Sequence, residues 1–336
     1  MHANFEDTAN MSTPFTIVGL GESLFDVFPD RAILGGAPLN VAYHAHQLCS
    51  ASGGRGVVAS RVGTDELGRR ILEELWTRGL TTDFVQIDDQ HPTGRVDITL
   101  RHGEPTYDFL ADVAWDHLEW TPGWRQLAET CDAVVFGTLA QRCPNSRATV
   151  QRFAETAQQA IRLFDVNLRV TFFDSDTLRR GAELATAIKL NADELPIVLR
   201  LLSLADDVAD STLTEKSSGG AHRLLQAFSQ TGLRYVVVTR GEQGTELVTH
   251  EASVRGPVAR FEQHPQADNV GAGDACSAGL LWGWINGWTA ERTVTLANRL
   301  GAFVASQPGA TPAMPGSHAT SASSLANPRR EPTDPS

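Results

Sequence analysis

Asp268-Asn-Val-Gly-Ala-Gly-Asp-Ala-Cys276 leads directly into Ser277-Ala-Gly-Leu-Leu-Trp-Gly-Trp-Ile285. The second stretch predicts a helix with small residues on one side and large apolar residues on the other. The glycines of the first stretch then lie in a turn at a helix N-terminus, where free backbone N–H groups and the helix dipole suit an anion such as phosphate. Asp274 falls in the first helical turn. Its carboxylate either stabilises the helix end or accepts a proton from a hydroxyl group that is being phosphorylated.

The composition is that of an acidic globular protein. The chain has 336 residues, 41% of them hydrophobic, and a formal net charge of −12. Because a phosphate backbone requires an excess of Lys and Arg, we expect no nucleic-acid partner. No apolar run is long enough to cross a bilayer and no Arg-headed apolar segment opens the chain, so we expect a soluble cytoplasmic protein without signal peptide or membrane partner. The four cysteines lie far apart, which predicts free thiols rather than a disulfide framework or a zinc site.

Short apolar runs alternate with helical patterns, from a strand predicted over 15–21 to a helix predicted over 289–305. This alternation predicts an α/β fold with a doubly wound, mostly parallel sheet. Within residues 93–110, apolar and polar residues alternate around a turn, which predicts an inserted hairpin that serves as a lid, a dimer surface or an ordinary edge. We expect one domain over 15–315, with a small β lid from about 28–34 and 93–112, between a flexible tail at 1–14 and a disordered tail at 316–336.

Polar residues follow several of the predicted strands, and the carboxyl ends of parallel strands meet along one edge where ligands bind. These residues are Asp26, Asn167, Arg169, Asn191, Glu194, Thr239, Gly241 and Asp274. Asp26 and Asn40 supply the paired acceptors and donors that a polyol requires, although Asn40 alone is also compatible with a structural amide. An anion site, a carboxylate base and a polyol site together indicate phosphoryl transfer from a nucleotide to a sugar hydroxyl.

Two common nucleotide-binding motifs are missing from the sequence. The only lysines are Lys189, which precedes Leu, and Lys216, which follows Glu, so there is no Walker A motif. Gly19-x-Gly21 is followed by Leu24 instead of a third glycine, so the fingerprint of a nicotinamide oxidoreductase fails. Backbone N–H groups and magnesium must then hold the phosphates, with Arg169 as a further candidate.

Two motifs, in this order, resemble the signatures of the PfkB, or ribokinase-like, family of carbohydrate kinases. Gly35-Gly-Ala-Pro-Leu-Asn40 resembles the N-terminal signature, and Asp268 to Asp274 resembles the C-terminal one, with Asn191-x-x-Glu194 between them. The resemblance covers about 15–315. Further stretches are most similar to the bacterial fructokinase branch: Gly21-Glu22, Asp26-Val-Phe-Pro-Asp30 and Asp165-Val-Asn-Leu-Arg169.

The resemblance implies a role for each matching residue. Asp274 would take the proton from the sugar's primary hydroxyl, and the N–H groups of Gly271, Ala272 and Gly273 would form an anion hole. Sugar-binding residues would be Asp26, Gly36, Asn40 and Arg169. Residues of the ATP site would be Asn191, Thr239, Gly241, Gly244 and Asn298. Glu194 would position Mg²⁺ mostly through water, and Asp268, with the loop at about 304–313, would contribute to a K⁺ site.

Two positions depart from the family pattern: Asn269 replaces the usual Thr, and Arg240 replaces an apolar or small residue. With the neighbouring residues intact, we expect an altered cation or nucleotide site rather than an inactive one.

We therefore expect an ATP-dependent kinase that converts fructose to fructose 6-phosphate. Other acceptors remain open, such as ribose, 2-keto-3-deoxygluconate or a nucleoside; an acidic sugar would need basic residues, for which Arg95, Arg101 and Arg169 are candidates. The alternative of another class is a non-catalytic sugar or nucleotide sensor. The apolar face of the predicted lid favours a homodimer.

Overall fold

The computed structural model describes residues 14–101, 104–169, 172–205 and 217–314. Within them the chain forms thirteen strands, which in chain order are β1 (Thr16–Leu20), β2 (Leu24–Val27), β3 (Ala32–Gly35), β4 (Arg55–Gly63), β5 (Val85–Asp88), β6 (Gly94–Arg101), β7 (Glu104–Phe109), β8 (Ala133–Phe136), β9 (Ile161–Asp165), β10 (Ala187–Asn191), β11 (Tyr235–Thr239), β12 (Thr245–Val248) and β13 (Ser253–Arg255). The helices are α1 (Ala37–Cys49), α2 (Glu66–Thr77), α3 (Pro122–Thr130), α4 (Pro144–Thr156), α5 (Ser175–Leu184), α6 (Glu194–Leu201), α7 (Ser217–Ala227), α8 (Ala272–Ile285) and α9 (Ala290–Val304).

The main sheet has nine strands in the order β13-β12-β11-β10-β9-β8-β1-β4-β5. The strands from β11 to β5 run parallel, and β12 and β13 are added antiparallel at one edge. A second sheet has four strands in the order β3-β2-β6-β7 and corresponds to the inserted sheet that is predicted as the lid; it is called the lid below. The doubly wound, mostly parallel sheet and the smaller second sheet confirm the fold that the sequence predicts.

Helices cover both faces of the main sheet, and the strand sequences show why. In β1, Ile17 faces α1, α8 and α9, whereas Val18 and Leu20 face the core that α3 to α7 complete. A strand buried on both faces reads as a continuous apolar run, as β1 does. Gly19 lies on the α1 side, where an added Cβ would come within 1.9 Å of the Pro38 carbonyl oxygen. Close packing of α1 on β1 therefore requires this glycine, which explains part of the apparent dinucleotide motif.

The lid differs from its predicted outline at its first segment. Asp26 lies inside β2, not in a turn, and the turn begins only at Phe28, whose N–H donates to the Arg31 carbonyl oxygen. β2 has four residues and pairs in parallel with β6, nearly 70 positions later, so no local pattern indicated it. The lid therefore begins at β2 and β3, earlier than the predicted segment at 28–34, while β6 and β7 confirm the predicted hairpin.

The predicted apolar face of the hairpin packs inside the chain. Val96 and Ile98 are 2% and 7% exposed and lie in the same core as Val113 and Trp115. These two side chains are therefore not free to cover a partner. Apart from Pro14, the predicted tails at 1–14 and 316–336 lie outside the described residues. Within the described residues no helix is both long and apolar enough to span a membrane.

Candidate active site

The order of the main sheet reverses between β1 and β8. From β1 the chain proceeds outward to β4 and β5, and it then returns to β8 and proceeds the other way to β11. Ligands of open α/β sheets bind outside the carboxyl ends of the strands at such a point. Here Glu22, Thr138, Asp165 and Asn167 line a cavity of about 10 Å³, which is room for about one water molecule.

Two helix N-termini meet above this sheet edge. α1 begins at Ala37 with Pro38 in its first turn, and α8 begins at Ala272. Asn40 lies in the first turn of α1 and Asp274 in that of α8, and Asn40 Nδ2 donates to Asp274 Oδ2 at 2.8 Å. Asn40 is 3% exposed, and its Oδ1 has no partner among the described residues. The amide nitrogen thus holds Asp274, and the buried amide oxygen keeps its acceptor capacity unused.

The surroundings of Asp274 raise its pKa toward neutral pH. Burial, followed by the negative charge of Asp165, raises the pKa of Asp274 to about 6, against the lowering effects of the Asn40 hydrogen bond and of Lys189 and Arg169. A carboxylate with a pKa just below the working pH is mostly ionised and is still a useful proton acceptor. The electrostatics therefore suit Asp274 to general base catalysis.

A buried ion pair supports α8 from below. Lys189 Nζ lies 2.8 Å from Asp165 Oδ2 and 3.0 Å from Oδ1, and Ser277 Oγ donates to Asp165 Oδ2 at 2.8 Å. Burial is the largest single influence and would lower the pKa of Lys189, but the charge and hydrogen bond of Asp165, with the charges of Cys276 and Asp274, together outweigh it and raise the pKa. A charged pair with satisfied hydrogen bonds tolerates burial. It fixes α8 against β9 and β10 and places a positive charge near Asp274.

Glu22 is a second carboxyl group with a raised pKa in this region. It follows β1, is 4% exposed, and its Oε2 has no partner among the described residues. Burial is the main reason that the pKa of Glu22 rises to about 7; backbone N–H groups and Arg169 oppose it, and Asp274 adds to it. A negative charge on Asp274 therefore makes Glu22 harder to ionise.

The turn before α8 has the geometry of an anion site. Gly271 adopts φ +76°, and an added Cβ would lie 2.4 Å from the Ala310 carbonyl oxygen. The Asp268 carboxylate holds the two sides of the turn, because Oδ1 accepts from Val270 N at 3.0 Å and Oδ2 from Gly309 N at 3.1 Å. The N–H of Ala272 donates to the Asn269 carbonyl oxygen at 3.3 Å, a long bond that a bound anion can replace. Gly273 is exposed and its backbone is open to a ligand.

The predicted sugar-binding residues gather on the lid side of Asp274. Asp26 is half-buried in β2, and burial raises its pKa, while Arg169 lowers it. Arg169 is itself exposed, and its charge acts on Glu22, Asp26 and Asp274 alike. Gly36, with φ +111°, lets the start of α1 approach the carbonyl of Glu22, which an added Cβ would meet at 2.5 Å.

Glu194 is held by the backbone at the start of α6. Its Oε1 accepts from Leu168 N and its Oε2 from Asn191 N, each at 2.8 Å, while Asn191 Oδ1 accepts from Asp193 N and Glu194 N. Burial raises the pKa of Glu194. Each carboxylate oxygen retains acceptor capacity after its backbone bond, so the group fits a hydrated cation better than direct coordination through both oxygens.

The predicted nucleotide-site residues cluster where β11 ends. Thr239 closes β11, and a short turn over Gly241–Gln243 leads to Gly244. An added Cβ at Gly244 would lie 3.0 Å from Asn298 Nδ2, so α9 brings Asn298 against this loop. Arg240 turns toward Glu246, with Nη2 2.7 Å from Oε2. Arg240, which departs from the family pattern, therefore forms an ion pair with Glu246 inside the protein.

Sequence reasoning missed three of these features. Asn40 and Asp274 are 234 positions apart, so nothing local indicated their hydrogen bond. The Lys189–Asp165 pair did have a signal, since a lysine within a buried strand requires a buried counter-charge. Glu22 was quoted as part of a motif, but its burial depends on how α1 packs above β1.

The chain was compared with known proteins. It is 30% identical to a fructokinase of Klebsiella pneumoniae over 322 residues, covering 88% of this chain and 95% of that protein. A solved fructokinase from Xylella fastidiosa with bound ATP matches with a TM-score of 0.74 at 22% identity, covering 89% of this chain and 95% of that one. An aminoimidazole riboside kinase from Salmonella enterica matches with a TM-score of 0.70 at 21% identity, covering 92% and 98%.

The profile of the pfkB family carbohydrate kinases matches residues 27–316. This range includes both helix N-termini and every site residue predicted from the sequence except Asp26; Glu22 also lies outside it. The protein therefore belongs to the pfkB family of carbohydrate kinases, enzymes that transfer a phosphoryl group to a sugar hydroxyl.

Proposed function

We propose that the protein transfers the γ-phosphoryl group of ATP to the primary hydroxyl of fructose and forms fructose 6-phosphate. The observation that carries this proposal is the Asn40–Asp274 pair, a carboxylate with a pKa of about 6 held between two helix N-termini. The similarity to a fructokinase at 30% identity supports the choice of fructose.

The residues suggest a single displacement step. Asp274 accepts the proton of the primary hydroxyl as the sugar oxygen bonds to the γ-phosphorus, and the bond from that phosphorus to the oxygen of the leaving ADP breaks. The N–H groups of Gly271, Ala272 and Gly273 stabilise the charge that develops on the transferred group. Asn40 Nδ2 keeps Asp274 ionised, and its free Oδ1 accepts from a sugar hydroxyl.

The sugar and nucleotide occupy opposite sides of Asp274 in this proposal. Asp26, Gly36, Asn40 and Arg169 contact the sugar beneath the lid, whose closure excludes water as a competing acceptor. ATP lies along Asn191, Thr239, Gly241, Gly244 and Asn298.

Two cations fit the residues present. Magnesium, when bound, would offset the charge of the phosphates, and Glu194 would hold it through water because both carboxylate oxygens already accept backbone N–H groups. Asp268 and the carbonyl groups around Gly309 would hold potassium near the anion turn; Asn269 beside them is where this site would differ from its relatives.

Turnover of a panel of acceptors tests the substrate. The panel contains fructose, ribose, 2-keto-3-deoxygluconate, fructose 6-phosphate and a nucleoside, each with ATP and Mg²⁺, with and without K⁺. We expect the highest kcat/KM for fructose. A higher kcat/KM for another acceptor would support the kinase activity but reject fructose as the substrate. The similarity to an aminoimidazole riboside kinase makes the nucleoside the strongest alternative acceptor.

The sensor alternative predicts a different result, namely ATP binding without turnover on any acceptor. The presence of Asp274 and Glu194 argues against it.

An acidic sugar would need a basic residue to bind its charge. Of the candidates, Arg95 already pairs with Asp97 at 3.2 Å, and the side chain of Arg101 lies outside the described residues. The homodimer and the cytoplasmic location stay predictions.

A further inference from the structure

A second cluster of ionisable side chains lies at the base of the lid, away from Asp274. His91 lies between β5 and β6, on the segment that enters the lid, and Asp112 lies just after β7, on the segment that leaves it. His117 follows on the next turn of the chain. His91 Nε2 and His117 Nε2 lie 3.8 and 2.8 Å from Asp112 Oδ1, and ligand atoms of all three residues lie within 4.8 Å of one another.

The orientation of His91 is fixed by a buried carboxylate. Asp88 Oδ2 lies 3.1 Å from His91 Nδ1, and the carboxylate is held by the N–H groups of Gln90 and His91 and by Arg61 Nε at 2.8 Å. A hydrogen bond from Nδ1–H to Asp88 leaves Nε2 of the neutral ring unprotonated and directed at Asp112. A carboxylate that orients a histidine in this way is the usual outer partner of a metal-binding imidazole.

We propose that His91, Asp112 and His117 bind a divalent transition-metal ion, zinc in the first instance, with water as the fourth ligand. Two imidazoles and a carboxylate are a zinc ligand set, and neighbouring ligand atoms around a tetrahedral zinc ion lie about 3.3 Å apart. The two distances to Asp112 Oδ1 lie on either side of that value. The histidine rings now stack with centroids 3.6 Å apart, so metal binding requires them to turn apart until both Nε2 atoms face the ion.

The charges and the access at this position suit a cation. Asp88, Asp112 and Glu119 surround the site, and the nearby Arg61 guanidinium already lies 2.6 Å from Glu119 as well as against Asp88. Asp112 is exposed, and His91 and His117 border an open groove of about 500 Å³. An ion can therefore enter from solvent without disturbing the core.

The position of the ligands indicates what the ion would do. Because His91 and Asp112 lie on the two segments that connect β6 and β7 to the body, an ion that binds both ties these segments together. The lid pivots on such connections. Metal at this site therefore stiffens the base of the lid without contacting the sugar or ATP.

Zinc binding by the full-length protein tests the proposal. The protein is treated with a chelator, desalted, mixed with Zn²⁺ in the absence of ATP and Mg²⁺, and passed over a gel filtration column before its metal content is measured. We expect about one ion per chain. Asp112→Asn should lose it; Asn tolerates the φ of +54° at this exposed position, so the variant should fold. His117→Ala should also lose the ion, and Asp88→Asn should weaken binding at least about tenfold.

His250→Ala is the matched control. His250 lies in the turn between β12 and β13, at the opposite edge of the main sheet from β5, and its variant should retain the ion. Amide hydrogen exchange in β6 and β7 should slow when zinc is added to the wild type but not to Asp112→Asn. Equal zinc content in wild type and Asp112→Asn, whether high or zero, would overturn the site. Zinc binding without slower exchange in the lid would overturn the stiffening.

Discussion

Asp274 must be ionised to accept a proton, yet its partly buried position favours the neutral acid. Asn40 resolves part of this conflict, because its side-chain N–H donates to the ionised carboxylate and holds it against the start of α1. At the scale of single residues, the site is thus a balance between burial and Asp165, which raise the pKa of Asp274, and Asn40, Lys189 and Arg169, which lower it.

Asn40→Ala should shift this balance in a predictable direction. Loss of the hydrogen bond raises the pKa of Asp274 further, so less of the carboxylate is ionised at a given pH. The acid limb of the kcat/KM profile, expected near pH 6, should move to higher pH, and the rate at neutral pH should fall about 10- to 100-fold. Asn286→Ala, at the exposed end of α8, is the matched control and should leave the profile in place. An unmoved acid limb in Asn40→Ala would show that Asn40 does not set the protonation of the base.

Glu22 should make the stability of the protein depend on pH. Its pKa rises from 4.5 to about 7 on folding, so the contribution to stability is fully present below about pH 4.5 and is lost as the pH rises through about 7. This rise in the pKa of Glu22 corresponds to roughly 3 kcal/mol of stability. Glu22→Gln does not titrate, so urea unfolding at pH 8 should show it more stable than the wild type by about 1 to 3 kcal/mol. The difference should shrink at pH 5; a difference that is the same at both pH values would contradict the raised pKa.

At the scale of elements, the decisive feature is the turn that starts α8. Gly271 takes a left-handed conformation and touches the loop around Ala310, while Asp268 joins the same two segments by hydrogen bonds. The proposed anion site is therefore built from two segments of chain, and it depends on how closely they approach.

Comparing Gly271→Ala with Gly287→Ala should separate the effect of the Ala310 contact from the cost of a left-handed backbone. Gly287 also has positive φ, +64°, but nothing lies within 4 Å of its position for an added Cβ. Both substitutions should cost about 1 kcal/mol for the left-handed backbone. Only Gly271→Ala should add the clash with Ala310 and weaken ATP-dependent turnover by at least about tenfold. Denaturant unfolding of both variants measures the cost in stability, and their kcat values measure the loss of turnover. Equal losses in the two variants would refute a special role for the Gly271 contact.

Sequence patterns predicted some elements well and others not at all. β1, the hairpin β6–β7 and the start of α8 follow from apolar runs, alternation and glycine placement. β2, β3 and β5 have four residues each, which is too short for an alternation of apolar and polar residues to be recognised in the sequence. They form because neighbouring strands supply their hydrogen bonds. The helix over Pro122–Thr130 was also missed.

At the scale of the whole molecule, the sheet order gathers the site. Expecting polar residues at the carboxyl ends of the strands was sufficient to nominate Asp26, Glu194 and Asp274, because chain order and strand direction fix that edge. It was not sufficient for Glu22, Lys189 or the His91 cluster, whose importance depends on burial and on contacts between distant segments. The roles of the nominated residues stay predictions.

The predicted homodimer through the lid has lost part of its basis, since Val96 and Ile98 pack within the chain. Tyr107 on β7 remains, with 57% of its surface exposed. If the lid forms the interface, Tyr107→Asp should convert a dimer to a monomer in sedimentation velocity. Trp76→Asp, at an even more exposed aromatic position on α2, should not. A wild type that sediments as a monomer at every concentration would reject the dimer.

The most direct measurement is fructose phosphorylation by wild type and Asp274→Asn, with ³¹P spectroscopy to locate the phosphate and separate titrations to measure ATP affinity. The substituted amide keeps the shape of Asp274 but cannot accept the proton. We predict fructose 6-phosphate from the wild type, a kcat at least about 10² lower in the variant, and ATP binding within about threefold of the wild type. Wild-type turnover that survives intact in Asp274→Asn, or no turnover of any sugar by the wild type, would contradict Asp274 as the base of a sugar kinase.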